Sequence, residues 1–213
     1  MIKVAPSILA ADQINLERDV RRAAEAGCDW LHVDVMDAHF VPNLAFSPDV
    51  VRHLKKAVDV PLDVHLMMDH PETLMDVFLD AGANVLTIHA EIEADVPALL
   101  AKIRKRGVMA GVAVKPRTPL SAIAAYQDEA DLILTMTVEP GFGGQKLDES
   151  VYSKISELRE SGYTGYIEAD GGVTEENLPI LISKGLNAAV MGTALFRAEN
   201  MRASIDRIHE MAK

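Results

Sequence analysis

Short runs of β-branched and apolar residues recur along this chain, and their recurrence constrains the fold more than any other sequence feature. Eight runs are predicted to be strands: Ile2–Leu9, Trp30–Met36, Leu62–Met67, Val85–His89, Met109–Val114, Leu132–Val138, Tyr166–Asp170 and Ala188–Met191. The segments between them have helical spacing. Five of these have recognisable ends, at Asn15–Ala26, Pro71–Ala81, Glu149–Glu160, Thr174–Ser183 and Asn200–Met211. Eight strand–helix units in 213 residues, about 27 residues each, favour an α/β fold of the closed (β/α)₈ TIM barrel type.

An open doubly wound sheet is the alternative fold. No linker or low-complexity stretch divides the sequence, so residues 1–213 are predicted to form a single barrel domain. The formal net charge of −11 disfavours nucleic acid and anionic membranes as partners, because both require a basic surface. The single cysteine, Cys28, is expected to pack in the core, which fits a reducing compartment. No apolar run approaches the roughly 18 residues of a membrane span, so a cytoplasmic location is predicted.

Polar residues cluster where predicted strands end, which is the catalytic edge of a TIM barrel. Strand alternation places His32 and Asp34 on one face of the second run. His65 on the third run and Asp170 at the end of the seventh complete a set of two imidazoles and two carboxylates. This set predicts one divalent metal ion per subunit, and zinc, manganese, iron or cobalt suits the ligands better than calcium or magnesium.

Other polar residues near these strand ends are weaker candidates for the site. Asp37 and Asp63 are reserve carboxylates, both expected to point away from the pocket. His89 is expected to hold a metal ligand in place, and His39 to line the pocket rim. The remaining histidines are expected at the surface, namely His53, His70 and His209.

A glycine-rich loop after the sixth predicted strand indicates a phosphate site. Glycines let backbone N–H groups turn toward an anion, and barrels often bind phosphate in the loops after their last strands. The predicted phosphate-binding residues are Gly141, Phe142, Gly143, Gly144, Gly171, Gly172, Gly192 and Thr193.

Further residues are expected to line the substrate pocket. Ser7 either hydrogen-bonds the substrate or caps the first strand. Met36, Met67 and Met136 either form an apolar wall around the reacting centre or simply fill the core. Lys115 would be the Schiff-base lysine of an aldolase-type enzyme, but a solvated rim lysine is favoured.

Six motifs, in order over nearly the whole chain, resemble those of the ribulose-phosphate 3-epimerase family. They are Ser7-Ile8-Leu9-Ala10-Ala11-Asp12, His32-Val33-Asp34-Val35-Met36-Asp37, Phe40-Val41-Pro42-Asn43, Asp63-Val64-His65-Leu66-Met67, Pro140-Gly141-Phe142-Gly143-Gly144-Gln145 and Asp170-Gly171-Gly172. The resemblance implies a (β/α)₈ barrel, a metal held by His32, Asp34, His65 and Asp170, a phosphorylated ketose substrate and a homo-oligomer. Ala38 stands where the family usually has glycine, so a positive φ there would be strained.

The activity that this resemblance implies is interconversion of D-ribulose 5-phosphate and D-xylulose 5-phosphate. A metal-stabilised enediolate would form, with Asp34 and Asp170 as the acid/base pair and His65 also near the substrate. Departures at Ala45 and Ser47 keep open a C3 epimerase of a hexulose 6-phosphate such as D-allulose 6-phosphate. A lyase of the same barrel class is less favoured. A non-catalytic metal and sugar-phosphate binding module is the candidate from a different functional class.

Overall fold

The predicted strand–helix alternation produces a closed barrel of parallel strands in a computed structural model that describes residues 2–212. The strands are β1 Lys3–Pro6, β2 Leu31–Asp37, β3 Leu44–Ala45, β4 Leu62–Met67, β5 Val85–His89, β6 Met109–Val114, β7 Leu132–Met136, β8 Tyr166–Asp170 and β9 Ala188–Met191. Their order is β1-β9-β8-β7-β6-β5-β4-β2-β3, and every pair is parallel except β2–β3. The ring closes between β1 and β2, where Asp29 and Trp30 both donate to the Val4 carbonyl and a bridge joins Ser7 to His32.

Helices cover the outside of this barrel. They are α1 Leu16–Glu25, α2 Pro48–Ala57, α3 Met75–Ala81, α4 Val96–Lys105, α5 Val151–Glu160, α6 Leu178–Ser183, α7 Thr193–Phe196 and α8 Met201–Met211. The expectation of a helix after every strand is wrong at one place, because β6 and β7 are joined by two short 3₁₀ turns, Leu120–Ala122 and Gln127–Glu129. Within residues 2–212 no helix is both long enough and apolar enough to cross a bilayer.

Several predicted ends shift for local reasons. The first strand stops at Pro6 because Ser7 caps a 3₁₀ turn, Ile8–Ala10, by accepting from the Leu9 N–H. The predicted helix from Pro71 begins as a 3₁₀ turn and becomes α-helical only at Met75. Near α6, Thr174 and Asn177 exchange hydrogen bonds, but they close a turn that precedes the helix.

Alternation along the strands separates two hydrophobic layers. Val33 and Val35 of β2 face outward into the layer between barrel and helices, which also holds Phe78 and the buried Cys28. A smaller cluster fills the barrel interior, with members that include Ala5, Trp30, Leu134, Met136 and Val190. Inward positions of β2 and β4 lie side by side in register, so that His32 pairs with Asp63, Asp34 with His65 and Met36 with Met67.

At the opposite end of the barrel, where the strands begin, the same pair of hydrogen bonds recurs between neighbouring strands. The Asn84 N–H donates to the Leu62 carbonyl at 2.8 Å, and Asn84 Oδ1 accepts from the Leu62 N–H at 3.0 Å. Equivalent two-bond clamps join Asp29 to Val4, Asp131 to Ala110 and Asn187 to Ile167. We call Asn84, Asp29, Asp131 and Asn187 the base clamps, and they occupy alternate strand junctions around the ring.

Asp29 gathers more partners than the other base clamps. Its carboxylate also accepts from Lys3 Nζ at 3.1 Å and from His209 Nε2 at 2.8 Å. The expectation that His209 is a solvated surface residue is therefore wrong, because this contact ties helix α8 to the barrel. His53 and His70 are exposed as predicted.

The loop after β2 adopts unusual backbone angles. Ala38 has φ of +64° and Phe46 has φ of +32°, and they are the non-glycine residues with positive φ among residues 2–212. The expected strain at Ala38 is thus present, and it lies beside the strand that carries His32 and Asp34.

Candidate metal and sugar-phosphate site

The carboxyl ends of β2, β4 and β8 bring the four predicted metal ligands together. Single donor atoms from His32, Asp34, His65 and Asp170 all lie within 4.8 Å of one another. Asp34 Oδ1 is 3.4 Å from His32 Nε2 and 3.7 Å from His65 Nδ1. Asp170 Oδ2 is 3.9 Å from His32 Nε2. The predicted convergence of these side chains is therefore present in the fold.

The two imidazoles are oriented so that one nitrogen of each faces this cluster. His32 Nδ1 lies 2.5 Å from Asp63 Oδ2, and His65 Nε2 lies 2.8 Å from His89 Nε2. Within residues 2–212, the other nitrogens, His32 Nε2 and His65 Nδ1, are buried and have no hydrogen-bond partner. An unpaired buried nitrogen is costly, and a lone pair aimed at two carboxylates suits a divalent cation. The residues thus fit the predicted metal.

Asp63 contradicts the prediction that it points away from the pocket. Residues two apart on a strand share a face, so Asp63 faces inward with His65. It lies beneath the ligand set and fixes the ring of His32. Asp37, by contrast, has the opposite parity to Asp34 and lies outside the ligand cluster, as expected.

Glu168 is a further buried acid that the sequence interpretation missed. It lies two residues before Asp170 on the same face of β8, and donor atoms of Glu168, Asp63 and His32 lie within 4.8 Å of one another. Burial, reinforced by the charge of Asp63, raises the pKa of Glu168 well above its usual value. The parity of Asp170 on its strand was the signal that would have found Glu168.

The two predicted acid/base carboxyls have opposite electrostatic environments. Burial, followed by the charge of Asp34, raises the pKa of Asp170 to about 7. Burial also acts to raise the pKa of Asp34, but the neighbouring imidazoles of His32 and His65 outweigh it and hold that pKa below its usual range. Ser7 Oγ donates to Asp34 Oδ2 at 2.6 Å, which further favours the carboxylate. These surroundings therefore favour the ionised form of Asp34 and make Asp170 easier to protonate.

A cavity of about 980 Å³ opens above these carboxyls. Asp34, Asp170 and Ser7 form part of its floor, whereas His32 and His65 are fully buried beneath it. Its walls include all the other predicted substrate-binding residues, namely Met36, Met67, Met136, Gly141, Phe142, Gly143, Gly144, Gly171, Gly172, Gly192 and Thr193. The cavity is also lined by residues that sequence reasoning did not select, such as Leu9, Val138, Gln145, Asn177 and Arg197.

Close backbone packing shapes the glycine-rich part of the cavity. A Cβ atom at Gly172 would lie 2.5 Å from Leu147 N and 2.7 Å from Gln145 O, and the φ of Gly172 is +65°. Glycine is therefore needed there for the loops after β7 and β8 to meet. Asn177 Nδ2 donates to the Gly172 carbonyl at 2.9 Å and fixes this junction.

Three other predictions about the pocket can be compared with the fold. Lys115 Nζ lies 3.9 Å from the centroid of the Phe40 ring and is not a cavity-lining residue, which disfavours a Schiff base at this position. His39 is exposed in the loop after β2, where its Nδ1 lies 3.0 Å from the Asp37 carbonyl, and it is not a cavity-lining residue, so its predicted place at the rim is wrong. Ser7 serves as both a cap and a partner of Asp34, so its hydrogen is already committed.

Together, the parallel barrel, its buried imidazole–carboxylate cluster and the glycine-lined cavity define the class of barrel enzymes that act on small anionic substrates. The profile of the ribulose-phosphate 3 epimerase family matches residues 3–196. This chain therefore belongs to that family, whose members are isomerases acting on carbohydrates.

Individual relatives are similar in sequence over nearly the full length of the chain. It is 42% identical to the ribulose-phosphate 3-epimerase of Bacillus subtilis (strain 168), over 98% of each chain. It is 45% identical to the chloroplastic ribulose-5-phosphate-3-epimerase of Arabidopsis thaliana, over 97% of this chain and 76% of that one.

Solved structures of lower identity share the fold. KGPDC from Streptococcus mutans aligns with a TM-score of 0.74 at 13% identity, over 100% of this chain and 97% of that one. The 3-hexulose-6-phosphate synthase of Salmonella typhimurium aligns with a TM-score of 0.71 at 15% identity, over 99% and 98% of the two chains. These similarities support the predicted barrel.

Proposed function

We propose that this protein interconverts D-ribulose 5-phosphate and D-xylulose 5-phosphate by inverting the configuration at C3. Family membership and the names of the relatives support this reaction. The observation that carries the mechanism is the placement of Asp34 and Asp170 at the floor of one cavity, on strands separated around the ring by β1 and β9.

Inversion needs one group to remove the C3 proton and a second group to return a proton on the other face of the carbon. In one direction Asp34, held as a carboxylate, accepts the proton, and Asp170, with its raised pKa, donates one. The reverse reaction exchanges the two roles. Environments that push two carboxyl pKa values apart are the usual basis of such an acid/base assignment.

A divalent metal ion is part of this proposal, held by His32, Asp34, His65 and Asp170. When bound, it would act as a Lewis acid toward the substrate ketone and make the C3 proton easier to remove. The protein keeps the lone pairs of His32 and His65 aimed at the cluster through Asp63 and His89. Zinc, manganese, iron and cobalt all suit two imidazoles and two carboxylates.

The remaining lining residues bind and shield the substrate in this proposal. Met36, Met67 and Met136 keep water away from the reacting carbon, and Ser7 holds Asp34 in place. The phosphate group lies against the glycine loops and the beginning of α7, at Gly192 and Thr193, where backbone N–H groups can bind an anion.

We further propose that residues 1–213 act as one catalytic domain in a cytoplasmic homo-oligomer. The net charge of −11 argues against nucleic acid or an anionic membrane as a partner. Size-exclusion chromatography with light scattering tests the oligomer, and a single mass equal to that of the monomer would contradict it.

Proton NMR in deuterated water tests the reaction. Purified protein incubated with ribulose 5-phosphate should replace the C3 hydrogen with deuterium and produce xylulose 5-phosphate. Stripping the metal should stop both processes, and adding back a divalent metal should restore them. Binding of the ketose phosphate without any exchange at C3 would instead indicate a non-catalytic binding module.

A parallel measurement separates the pentulose phosphate from the hexulose phosphate as the substrate. The kcat/KM for ribulose 5-phosphate should exceed that for D-allulose 6-phosphate at the same metal loading. The opposite order would assign the protein to the hexulose phosphate, which the departures at Ala45 and Ser47 left open.

A further inference from the structure

A line of three polar side chains runs from the metal cluster into the wall of the barrel. His65 Nε2 lies 2.8 Å from His89 Nε2, and His89 Nδ1 lies 2.9 Å from Glu91 Oε2. His65 and His89 are fully buried, and the side chain of Glu91 is 18% exposed. Phe40 packs over the His89 ring, with centroids 4.4 Å apart. The line connects a predicted metal ligand to a carboxylate that does not touch the cavity.

The direction of these hydrogen bonds follows from counting protons. A neutral imidazole has one N–H donor and one acceptor nitrogen. His89 is fully buried against the rings of His65 and Phe40, and such an environment disfavours a charged imidazole. Glu91 is ionised, because hydrogen bonds outweigh burial and lower its pKa to about 2. An ionised carboxylate only accepts, so the proton of His89 must lie on Nδ1.

The same count fixes His65. With its proton on Nδ1, His89 has only an acceptor at Nε2, and the 2.8 Å contact then requires His65 to donate from its own Nε2. The lone pair of His65 is left on Nδ1, which is the nitrogen that faces Asp34. We propose that Glu91 is a positioning residue that sets the metal-binding tautomer of His65 through His89. This inference rests on the proposed metal site.

The surroundings of Glu91 keep a carboxylate oxygen in place. Glu91 Oε1 accepts from the Lys115 backbone N–H at 2.8 Å. The loop that supplies this donor is itself anchored, since Lys154 Nζ donates to the carbonyls of Lys115, Pro116 and Thr118 at 2.7–3.0 Å. A donor is thus fixed opposite Oε1, and the group at this position must present an acceptor to Lys115.

Glu91→Gln tests the proposal, because the Lys115 N–H requires an acceptor oxygen opposite it. The glutamine carbonyl would satisfy the Lys115 N–H, and the amide NH₂ would then face His89 Nδ1. His89 would have to accept at Nδ1 and donate from Nε2, which would force the proton of His65 onto Nδ1. This near-isosteric variant would reverse the direction of both hydrogen bonds. It would place a proton on His65 Nδ1, the nitrogen that faces the metal cluster.

Glu91→Ala provides the contrast, because alanine removes the contacts without imposing the wrong tautomer. If Glu91 only supported the loop at Lys115, the Gln variant would be milder than the Ala variant. We expect the opposite order for metal affinity measured by chelator competition. Glu91→Gln should lose on the order of 10–100-fold, and Glu91→Ala less. Glu93→Gln, an exposed residue in the same loop, should retain wild-type affinity.

The tautomers can be read directly from ¹⁵N-labelled, metal-free protein by long-range ¹H–¹⁵N correlation. Wild-type protein should show His65 protonated on Nε2 and His89 on Nδ1, and Glu91→Gln should show both reversed. A wild-type His65 protonated on Nδ1, or a Gln variant with wild-type tautomers and affinity, would overturn the proposal even if one variant failed to fold. Wild-type protein with the expected tautomers but no divalent metal binding would instead overturn the proposed function alone.

Discussion

The two ends of the barrel differ in whether their polar side chains have hydrogen-bond partners. At the base, the clamps pair the side-chain oxygens of Asn84, Asp131 and Asn187 with backbone N–H groups. At the mouth of the barrel, where the strands end, His32 Nε2 and His65 Nδ1 have no hydrogen-bond partner among residues 2–212. Satisfied polar groups stabilise the fold, whereas unpaired groups retain their capacity to bind a ligand. The difference indicates that stability is concentrated at the base and chemistry at the mouth, as is usual for TIM barrels.

Replacing Asp170 with Asn should have the largest effect, because it should lower activity at the mouth without lowering the stability of the barrel. We expect turnover to fall by about 10²–10⁴-fold, the usual contribution of a general acid or base. The thermal midpoint of the metal-free protein should stay the same or rise, because a carboxyl that is costly to ionise becomes neutral. Asp131→Asn at the base keeps its acceptor oxygen and should keep its activity. Near wild-type turnover by Asp170→Asn with metal bound would remove Asp170 from the mechanism.

Metal binding should stabilise the protein only through the mouth. A ligand at 100 times its Kd adds about 2.7 kcal/mol to the free energy of unfolding, so adding manganese or zinc to stripped protein should raise its thermal midpoint. His65→Ala should abolish that shift, and a base variant such as Asn84→Ala should retain it. An equal shift in His65→Ala would place the metal elsewhere.

Asn84→Ala should lower stability at the base of the barrel and leave activity at the mouth unchanged. The Leu62 N–H would lose its acceptor, and an unsatisfied, partly buried donor costs roughly 1–3 kcal/mol of unfolding free energy. Chemical denaturation measures this loss, and kcat/KM at saturating metal should change little. Asn84→Asp retains an acceptor oxygen and should lose less. A Kd for metal that rises in parallel with the destabilisation would show that the two ends are coupled.

Ala38→Gly should give the smallest effect and in the stabilising direction. An L-residue in the left-handed region costs roughly 1–2 kcal/mol, and the extra freedom of glycine in the unfolded chain offsets about 0.5–1 kcal/mol. The net gain should be about 0.5–1 kcal/mol by denaturant titration. Ala203→Gly in helix α8 is the matched control and should lose stability by up to about 1 kcal/mol. A loss at Ala38 would show that the loop after β2 is not strained by its alanine.

Periodicity was sufficient to predict the barrel and most of its strands. Leu62–Met67, Val85–His89, Met109–Val114, Tyr166–Asp170 and Ala188–Met191 have the predicted bounds. Helical ends were less certain because 3₁₀ turns and α-helices share the same start signals, as at Pro71. The connection between β6 and β7 has helix-like composition but folds as two short turns, since local preference does not decide how a connection packs.

The candidate site could be predicted where residue type and strand parity acted together. His32, Asp34, His65 and Asp170 have metal-ligand chemistry and fall at strand ends, so their convergence followed from the fold class. Asp63 was misplaced because its parity relative to His65 was misjudged. The line through His89 to Glu91 and the base clamps depend on contacts between separate strands. No short-range pattern identifies them, because single Asp and Asn residues before strands are also ordinary turn residues.

The base clamps have a consequence for the order in which this chain can assemble. Each clamp joins residues only 20–25 positions apart, so its contacts form within one consecutive pair of strands. The joint between β1 and β9 brings Lys3 to Asn187, and the entropy lost on closing a loop grows with its length. We expect the four clamped strand pairs, β1–β2, β4–β5, β6–β7 and β8–β9, to gain protection early in pulse-labelled hydrogen exchange. The hydrogen bonds between β1 and β9 should gain protection last. Early protection of the β1–β9 hydrogen bonds would contradict this order.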